Sequence, residues 1–297
     1  MNLRSLLTAA VVVAASVTVP AAGASAAGTK DKVITVVHHN TDGRGTDTAM
    51  EKALALGKDL DVVAFQEICR SEAKALKTKY AVMFEPRVTH EHCPKPDGTA
   101  GKKGIALVSP TRKLTQRKVI DLGTYSTHDF NALCARVGGT GVKNTWVCTT
   151  HLALSYGTKG EDGYVNGKVA RKKQMKILRR EIGGMVNKQK RRVVVTGDFN
   201  MEPTDPLFVN WFDAAGTGLW AEADQPDWCP RVACRQMEAT TDARAATPDK
   251  PARKGRRLDY VFAPTKQVRV GKLRKDLTDS TVEGQGHHVV VASIPFR

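Results

Sequence analysis

Short apolar runs, separated by polar and glycine-bearing segments, set the pattern of the chain. Val33-Ile34-Thr35-Val36-Val37, followed by His38, His39 and Asn40, reads as a buried strand over residues 32–40. Asp42-Gly43-Arg44-Gly45 is a loop. Over residues 48–60 the apolar positions Met50, Ala53, Leu54 and Leu56 take helical spacing. Val62-Val63-Ala64-Phe65 predicts a second strand over residues 61–66, with Glu67 at its end. Three further strands fall at 104–109, 131–137 and 145–154, the last two separated by Gly138-Gly139-Thr140-Gly141. Residues 160–167 read as a polar loop. A basic amphipathic helix follows over 169–186, with Met175, Ile177, Leu178, Ile182 and Met185 as core positions. Val193-Val194-Val195 runs straight into Gly197-Asp198-Phe199-Asn200, and 258–262 and 289–294 are the last strands. Strands outnumber helices, but the interspersed helices argue against an all-β fold. The stretch 226–254, rich in Pro, Ala, Thr and charge, reads as a long surface loop, because apolar strands continue on both sides of it.

The N-terminus departs from this pattern. Arg4 precedes an uncharged apolar run over residues 6–19, then Pro20 and the small residues Ala24-Ser25-Ala26. This order predicts a secretory signal over residues 1–26, cleaved near Ala26, rather than a membrane anchor. Residues 27–297 are then one domain. Export changes how the cysteines read, because an even number in an oxidising compartment suggests disulfides. Proximity favours Cys134–Cys148 and Cys229–Cys234, which leaves Cys69–Cys93. A zinc site from His90, His92, Cys93 and Cys69 is the weaker reading, since the spacing is irregular. The net charge of +16 bears on partners rather than fold and favours polyanions. Lys172, Lys173, Arg179 and Arg180 read as a solvated helix face.

Several apolar runs end in, or border, a side chain able to bind metal or move a proton. These are Asn40 with Asp42, Glu67, His151, Asp198 with Asn200, Asp259, and His287 with His288. A phosphodiester is anionic and resists hydroxide, so a divalent cation on its oxygens lowers the barrier. Glu67, Asp42 and Asn40 offer the oxygen ligands that Mg²⁺ prefers. Asp198 or His288 could take a proton from water. Asp259 could fix a histidine's orientation. His38 and His39 read as core histidines, and Asp61 as a residue that caps or ends an element.

These motifs in order resemble the DNase I-like endonuclease/exonuclease/phosphatase superfamily. The resemblance rests on His39-Asn40-Thr41-Asp42-Gly43, Gln66-Glu67, Thr150-His151-Leu152, Gly197-Asp198-Phe199-Asn200, Arg257-Leu258-Asp259-Tyr260-Val261-Phe262 and the terminal His288. It implies an α/β fold, a four-layer α/β/β/α sandwich of two packed sheets flanked by helices. It also implies roles. Glu67 is the main metal ligand, with Asn40 and Asp42 beside it. Asp198 positions or deprotonates water, and Asn200 orients Asp198 or the phosphate. Asp259 pairs with His288, and His151 is a second histidine of the site. One departure stands out: where the family carries Asp before its last histidine, this chain has His287, a poor Mg²⁺ ligand but an acceptable one for softer metals. His287 is therefore placed with the metal ligands.

The leading reading is a secreted, metal-dependent nuclease. Mg²⁺ is the first choice of cofactor, with Mn²⁺ or Ca²⁺ as alternatives. Nucleic acid is the expected substrate, and a monomer without stable membrane insertion is expected. A lipid phosphodiesterase of the sphingomyelinase kind is the alternative, with Trp211-Phe212, Trp220 and Trp228 as candidate membrane contacts. Phosphomonoesters and a non-catalytic polyanion-binding role stay open.

Overall fold

The computed structural model describes residues 32–43, 46–55, 60–125, 128–138, 144–154, 158–160, 163–165, 167–208, 211, 219–223, 240–241, 255–269, 274–278 and 286–297. The export segment, Phe212, Trp228, Cys229 and Cys234, and most of the 226–254 loop lie outside them. In chain order the elements are β1 (Lys32–Asn40), α1 (Thr46–Ala55), β2 (Val62–Cys69), α2 (Arg70–Leu76), β3 (Ala81–Pro94), β4 (Ala100–Ser109), β5 (Leu114–Tyr125) and β6 (His128–Val137). Then come β7 (Thr145–His151), the hairpin β8 (Thr158–Gly160) and β9 (Gly163–Val165), α3 (Gly167–Gly183), β10 (Arg192–Asp198), β11 (Trp220–Glu222), β12 (Asp259–Pro264), β13 (Arg274–Thr278) and β14 (Val289–Phe296).

Two six-stranded sheets carry the fold, ordered β13-β14-β1-β2-β4-β3 and β11-β12-β10-β7-β6-β5. The β1–β2 and β7–β10 pairs are parallel, and α1 and α3 lie in the two connections. The uninterrupted valine runs follow from burial on both faces. Val194 packs between the sheets, whereas Val193 and Val195 pack on the other side with Met175, Leu178 and Ile182 of α3. In the first sheet Val62 and Ala64 face the inter-sheet core, and Val63 and Phe65 face Met50 and Ala53 of α1. Three hydrophobic layers between four structural layers give the sandwich the motifs imply.

Some boundaries differ from the sequence reading. The first helix starts and ends earlier, at Thr46–Ala55, and the third begins at Gly167 and passes into a π-turn at Gly184–Lys188. β3, β5 and β13 escape the apolar-run criterion because each is the edge strand of its sheet, where one flank is unpaired. β3, for example, is mostly half-exposed or exposed along its length. The short helix α2 has only Ala73 and Leu76 buried, too few for a periodic signal. Part of the 160–167 loop is the β8–β9 hairpin. Two of the expected disulfides are present: Cys69–Cys93 ties the ends of β2 and β3, and Cys134–Cys148 joins directly paired residues of β6 and β7. Asp61, just before β2, has a structural role: its carboxylate accepts Thr35 N–H at 2.9 Å and Arg112 Nε at 2.8 Å. Among the described residues no helix is long and apolar enough to cross a membrane. Trp211 and Trp220 are stacked on each other at 4.7 Å and buried, so neither is available to a lipid surface.

Candidate active site

Strand register gathers the site. On β7, β10 and β12, His151, Asp198 and Asp259 are direct neighbours, with Asp198 between the other two. Two of these strands end at this row and the antiparallel third begins there, so one rim of the second sheet carries all three side chains. Gly197 permits the arrangement: a Cβ there would lie 2.2 Å from the carbonyl oxygen of Thr150. The aromatic residues of the same motifs serve packing. Phe199 meets Tyr260 and Phe262 edge-on, at 5.8 and 5.2 Å between ring centres.

The first sheet brings Asn40 and Glu67 to the same rim. Asn40 ends β1 and donates through Nδ2 to Asp198 Oδ2 at 3.0 Å. Its Oδ1 accepts the Asp42 N–H at 3.1 Å, so Asp42 enters the site through its backbone turn, with φ +46°. Glu67 is not at a strand end. It sits within β2 at a β-bulge, where the register with β4 shifts between Gln66 and Ile68 and Glu67 itself takes φ +56°. A bulge re-aims a side chain while the strand continues. Asn200, at φ +51°, donates its backbone N–H to Asp198 Oδ1 at 2.8 Å and its amide to Leu152 O at 3.0 Å. Asn200 thus braces Asp198.

The expected partner of Asp259 is corrected. His287, not His288, meets it: His287 Nδ1 donates to Asp259 Oδ2 at 2.8 Å. The same oxygen accepts Thr240 Oγ1 at 2.7 Å, and Asp259 Oδ1 accepts His38 Nε2 at 2.8 Å. His287 bridges to Thr241, and the His288 N–H donates to the Thr240 carbonyl at 2.8 Å. Successive residues of an extended chain point to opposite sides, so two adjacent histidines pose a one-residue register question that composition cannot answer. His38, read from sequence as a core histidine, is buried and also holds the site's Asp259.

The charges follow from burial and neighbours. Burial, reinforced by Asp259, raises Asp198 to about 7. Burial works against charge on His287, but Asp259 and Asp198 outweigh it and raise its pKa to about 10. Burial would likewise raise Asp259, yet His287 and His38 hold it well below the usual carboxylate range. Burial, with Arg87 adding, drops His151 to about 3 and so keeps it neutral. Burial opposes the Glu67 charge too; His151, Lys103 and Arg87 together pull Glu67 far below its ordinary value. With His151 neutral, the two cations carry that effect. Arg87 and Lys103 were not singled out in the sequence: both lie on half-exposed stretches without a motif around them. Lys103 directly precedes the apolar run of β4, beside β2, and Arg87 lies on the edge strand β3.

A divalent ion was tested against these donors. Among His, Cys, Asp and Glu in the described residues, Asp198, Asp259 and His287 offer atoms within 4.8 Å of one another. That is a different set from the expected Glu67, Asp42, Asn40 and His287. Asp259 already accepts three hydrogen bonds, from His38, Thr240 and His287. Glu67 is the better fit: it is a half-buried anion whose Oε2 already takes the Lys103 ammonium, a positive charge where a cation would bind, with His151 Nδ1 3.5 Å from Oε1. Its carboxylate and the Asn40 amide oxygen are the hard donors such an ion needs.

The Endonuclease/Exonuclease/phosphatase family model matches residues 23–278. The chain belongs to that family. Family membership supports phosphodiesterase-type hydrolysis dependent on a divalent metal. The human Nocturnin catalytic domain with bound sulfate shares the fold at TM-score 0.61 and 18% identity, covering 90% of this chain and 96% of that one. TDP2 from D. rerio, complexed with single strand DNA product, gives TM-score 0.58 at 17% identity, covering 89% and 99%. A family protein from Bacteroides vulgatus gives TM-score 0.58 at 14% identity, covering 89% and 99%. No curated protein matches the chain in sequence.

Proposed function

We propose that this family member is an exported, metal-dependent phosphodiesterase that hydrolyses nucleic acid, with Mg²⁺ as the first metal to test. The observation that carries the reading is the position of Asp198. Its Oδ2 takes Asn40 at 3.0 Å and lies 3.6 Å from His151 Nε2 and 3.8 Å from His287 Nε2. The longer separations suit a bridging water.

A base with a pKa near 7 is matched to taking a proton from water at neutral pH. Asp198 accepts that proton as the water oxygen bonds to phosphorus and the bond from phosphorus to the leaving oxygen breaks, the departing oxygen taking its proton from solvent. His287, held as an imidazolium by Asp259 through Nδ1, presents its charge and the Nε2–H to the phosphate oxygens. His151, neutral, can donate one hydrogen bond without adding charge. A divalent ion held by Glu67 and Asn40 would supply Lewis-acid neutralisation of the phosphate. Arg87 and Lys103 add fixed positive charge beside it.

The +16 charge supports a polyanionic substrate, as does the DNA carried by the TDP2 neighbour. Two disulfides are compatible with an extracellular protein, and the predicted signal over residues 1–26 supports export. The buried Trp211–Trp220 pair counts against the lipid reading. The test is cleavage of DNA and RNA by the mature protein in EDTA, Mg²⁺, Mn²⁺ or Ca²⁺, with sphingomyelin vesicles and a phosphomonoester alongside. Metal-dependent nucleic-acid cleavage is the expected result. Turnover of lipid or monoester alone would overturn the substrate assignment, and polyanion binding without turnover would overturn the enzyme.

A further inference from the structure

Beside the proposed centre lies a cavity of about 170 Å³, to which Glu67 and His151 contribute one wall. The rest of its character comes from Arg87, Lys103, Tyr125, His128 and Phe130. Tyr125 and His128 are paired across the end of the β5–β6 hairpin, and both rings stand edge-on to Phe130, at 6.0 and 6.5 Å. The Arg87 guanidinium lies over the Phe130 ring at 3.8 Å. Its Nε is buried with no hydrogen-bond partner among the described residues. The first turn of α3, through Gly167 and Ala170, closes another side. None of this is needed to position Asp198, His287 or Asp259.

The chemistry of the wall is two-fold. Arg87, with an unused donor, and Lys103 suit a phosphate. The aromatic cluster suits a flat ring, because aromatic side chains bind bases by stacking and tolerate any base. A base in an intact duplex is stacked and paired and cannot enter a side cavity without being extruded.

We infer that this cavity is a nucleotide subsite: it takes the base of an unpaired nucleotide adjoining the cut, with Arg87 and Lys103 on the phosphate. The inference rests on the nuclease reading above and adds a substrate class to it, single strands and frayed ends over intact duplex. Tyr125 and His128 are its specificity-determining residues, and Phe130, buried beneath Arg87, backs their rings.

The test uses one oligonucleotide sequence in three forms: single-stranded, annealed to its complement, and single-stranded with an abasic residue placed in turn at the nucleotides flanking the mapped cut. The single strand has the higher kcat/KM, by roughly tenfold, the size of one base–aromatic contact. An abasic residue at one flanking position raises KM by a similar factor. In Tyr125→Ala that intact-to-abasic ratio falls towards one, and Tyr125→Phe restores it. His128→Ala repeats the measurement should Tyr125→Ala fold poorly, judged by its thermal midpoint. A free mononucleotide as competitor separates a site for monomers from one that needs the strand. Equal cleavage of duplex and single strand, or an abasic ratio unchanged in both alanine variants, overturns the subsite and leaves the nuclease reading standing. Absence of any nucleic-acid cleavage overturns both.

Discussion

His287 Nδ1 and Asp259 Oδ2 are 2.8 Å apart, a hydrogen bond that joins the start of β12 to the residues just before β14. This contact fixes the ring, charges it and turns its Nε2 towards Asp198. Asp259→Asn keeps the shape but removes the charge. His287 should then lose its raised pKa, which stands at about 10. Imidazole NMR signals at pH 8 report this: protonated in the wild type, neutral in the variant. Turnover should fall by about 10²-fold or more, as when an orienting carboxylate is neutralised elsewhere.

Asp198 is expected to set the acid side of the pH profile. Its pKa is raised to about 7, and only the carboxylate can take a proton. Activity should therefore rise with pH through about 7 and fall away below it. In Asp198→Asn the residual rate should lose that limb. A limb that persists in the variant would assign the titration to another group.

Glu67 is expected to act through metal. Glu67→Gln removes the charge but keeps the bulk, and the metal concentration for half-maximal rate should rise by about 10- to 100-fold. Isothermal titration of Mg²⁺ or Mn²⁺ into the variant, without substrate, checks the same point independently of turnover.

Buried neutral histidines make the fold sensitive to acid. His39 is fully buried, and burial, followed by His38 and His287, lowers its pKa to about 3. The unfolded chain binds a proton below about 6.5, whereas the folded chain does not until about 3. Stability is therefore complete above the unfolded pKa and declines as pH falls from 6.5 towards 3. One such histidine costs about 1 kcal/mol per pH unit in that window. Urea unfolding at pH 7, 5.5 and 4.5 measures the slope, and His39→Asn should flatten it.

The parts of the molecule buried on two faces were legible in the sequence. β1, β2, β7 and β10 are runs of apolar residues, and the polar residue that breaks each run marks the rim. His151, Asp198 and Asp259 fall in one row for that reason. What was not legible depends on a single residue of register. Glu67 reaches the site through a bulge inside β2, not by ending it. His287 and His288 are the same residue type in adjacent positions, and only the chain's direction into β14 decides which ring meets Asp259. β3 carries an apolar run only at its start, Ala81–Phe84, and β5 carries no long one, so Arg87, Tyr125 and the cavity they line were invisible. Disulfide pairing succeeded for Cys134–Cys148 because the two residues flank one turn.

The most direct measurement compares His287→Ala with His288→Ala on the same nucleic-acid substrate at saturating metal. The account predicts that His287→Ala lowers kcat by about 10²- to 10³-fold, the range for a lost donor to developing transition-state charge, while His288→Ala stays within a few-fold of the wild type. The reverse order, or equal loss in both folded variants, would contradict the assignment of His287 between Asp259 and Asp198.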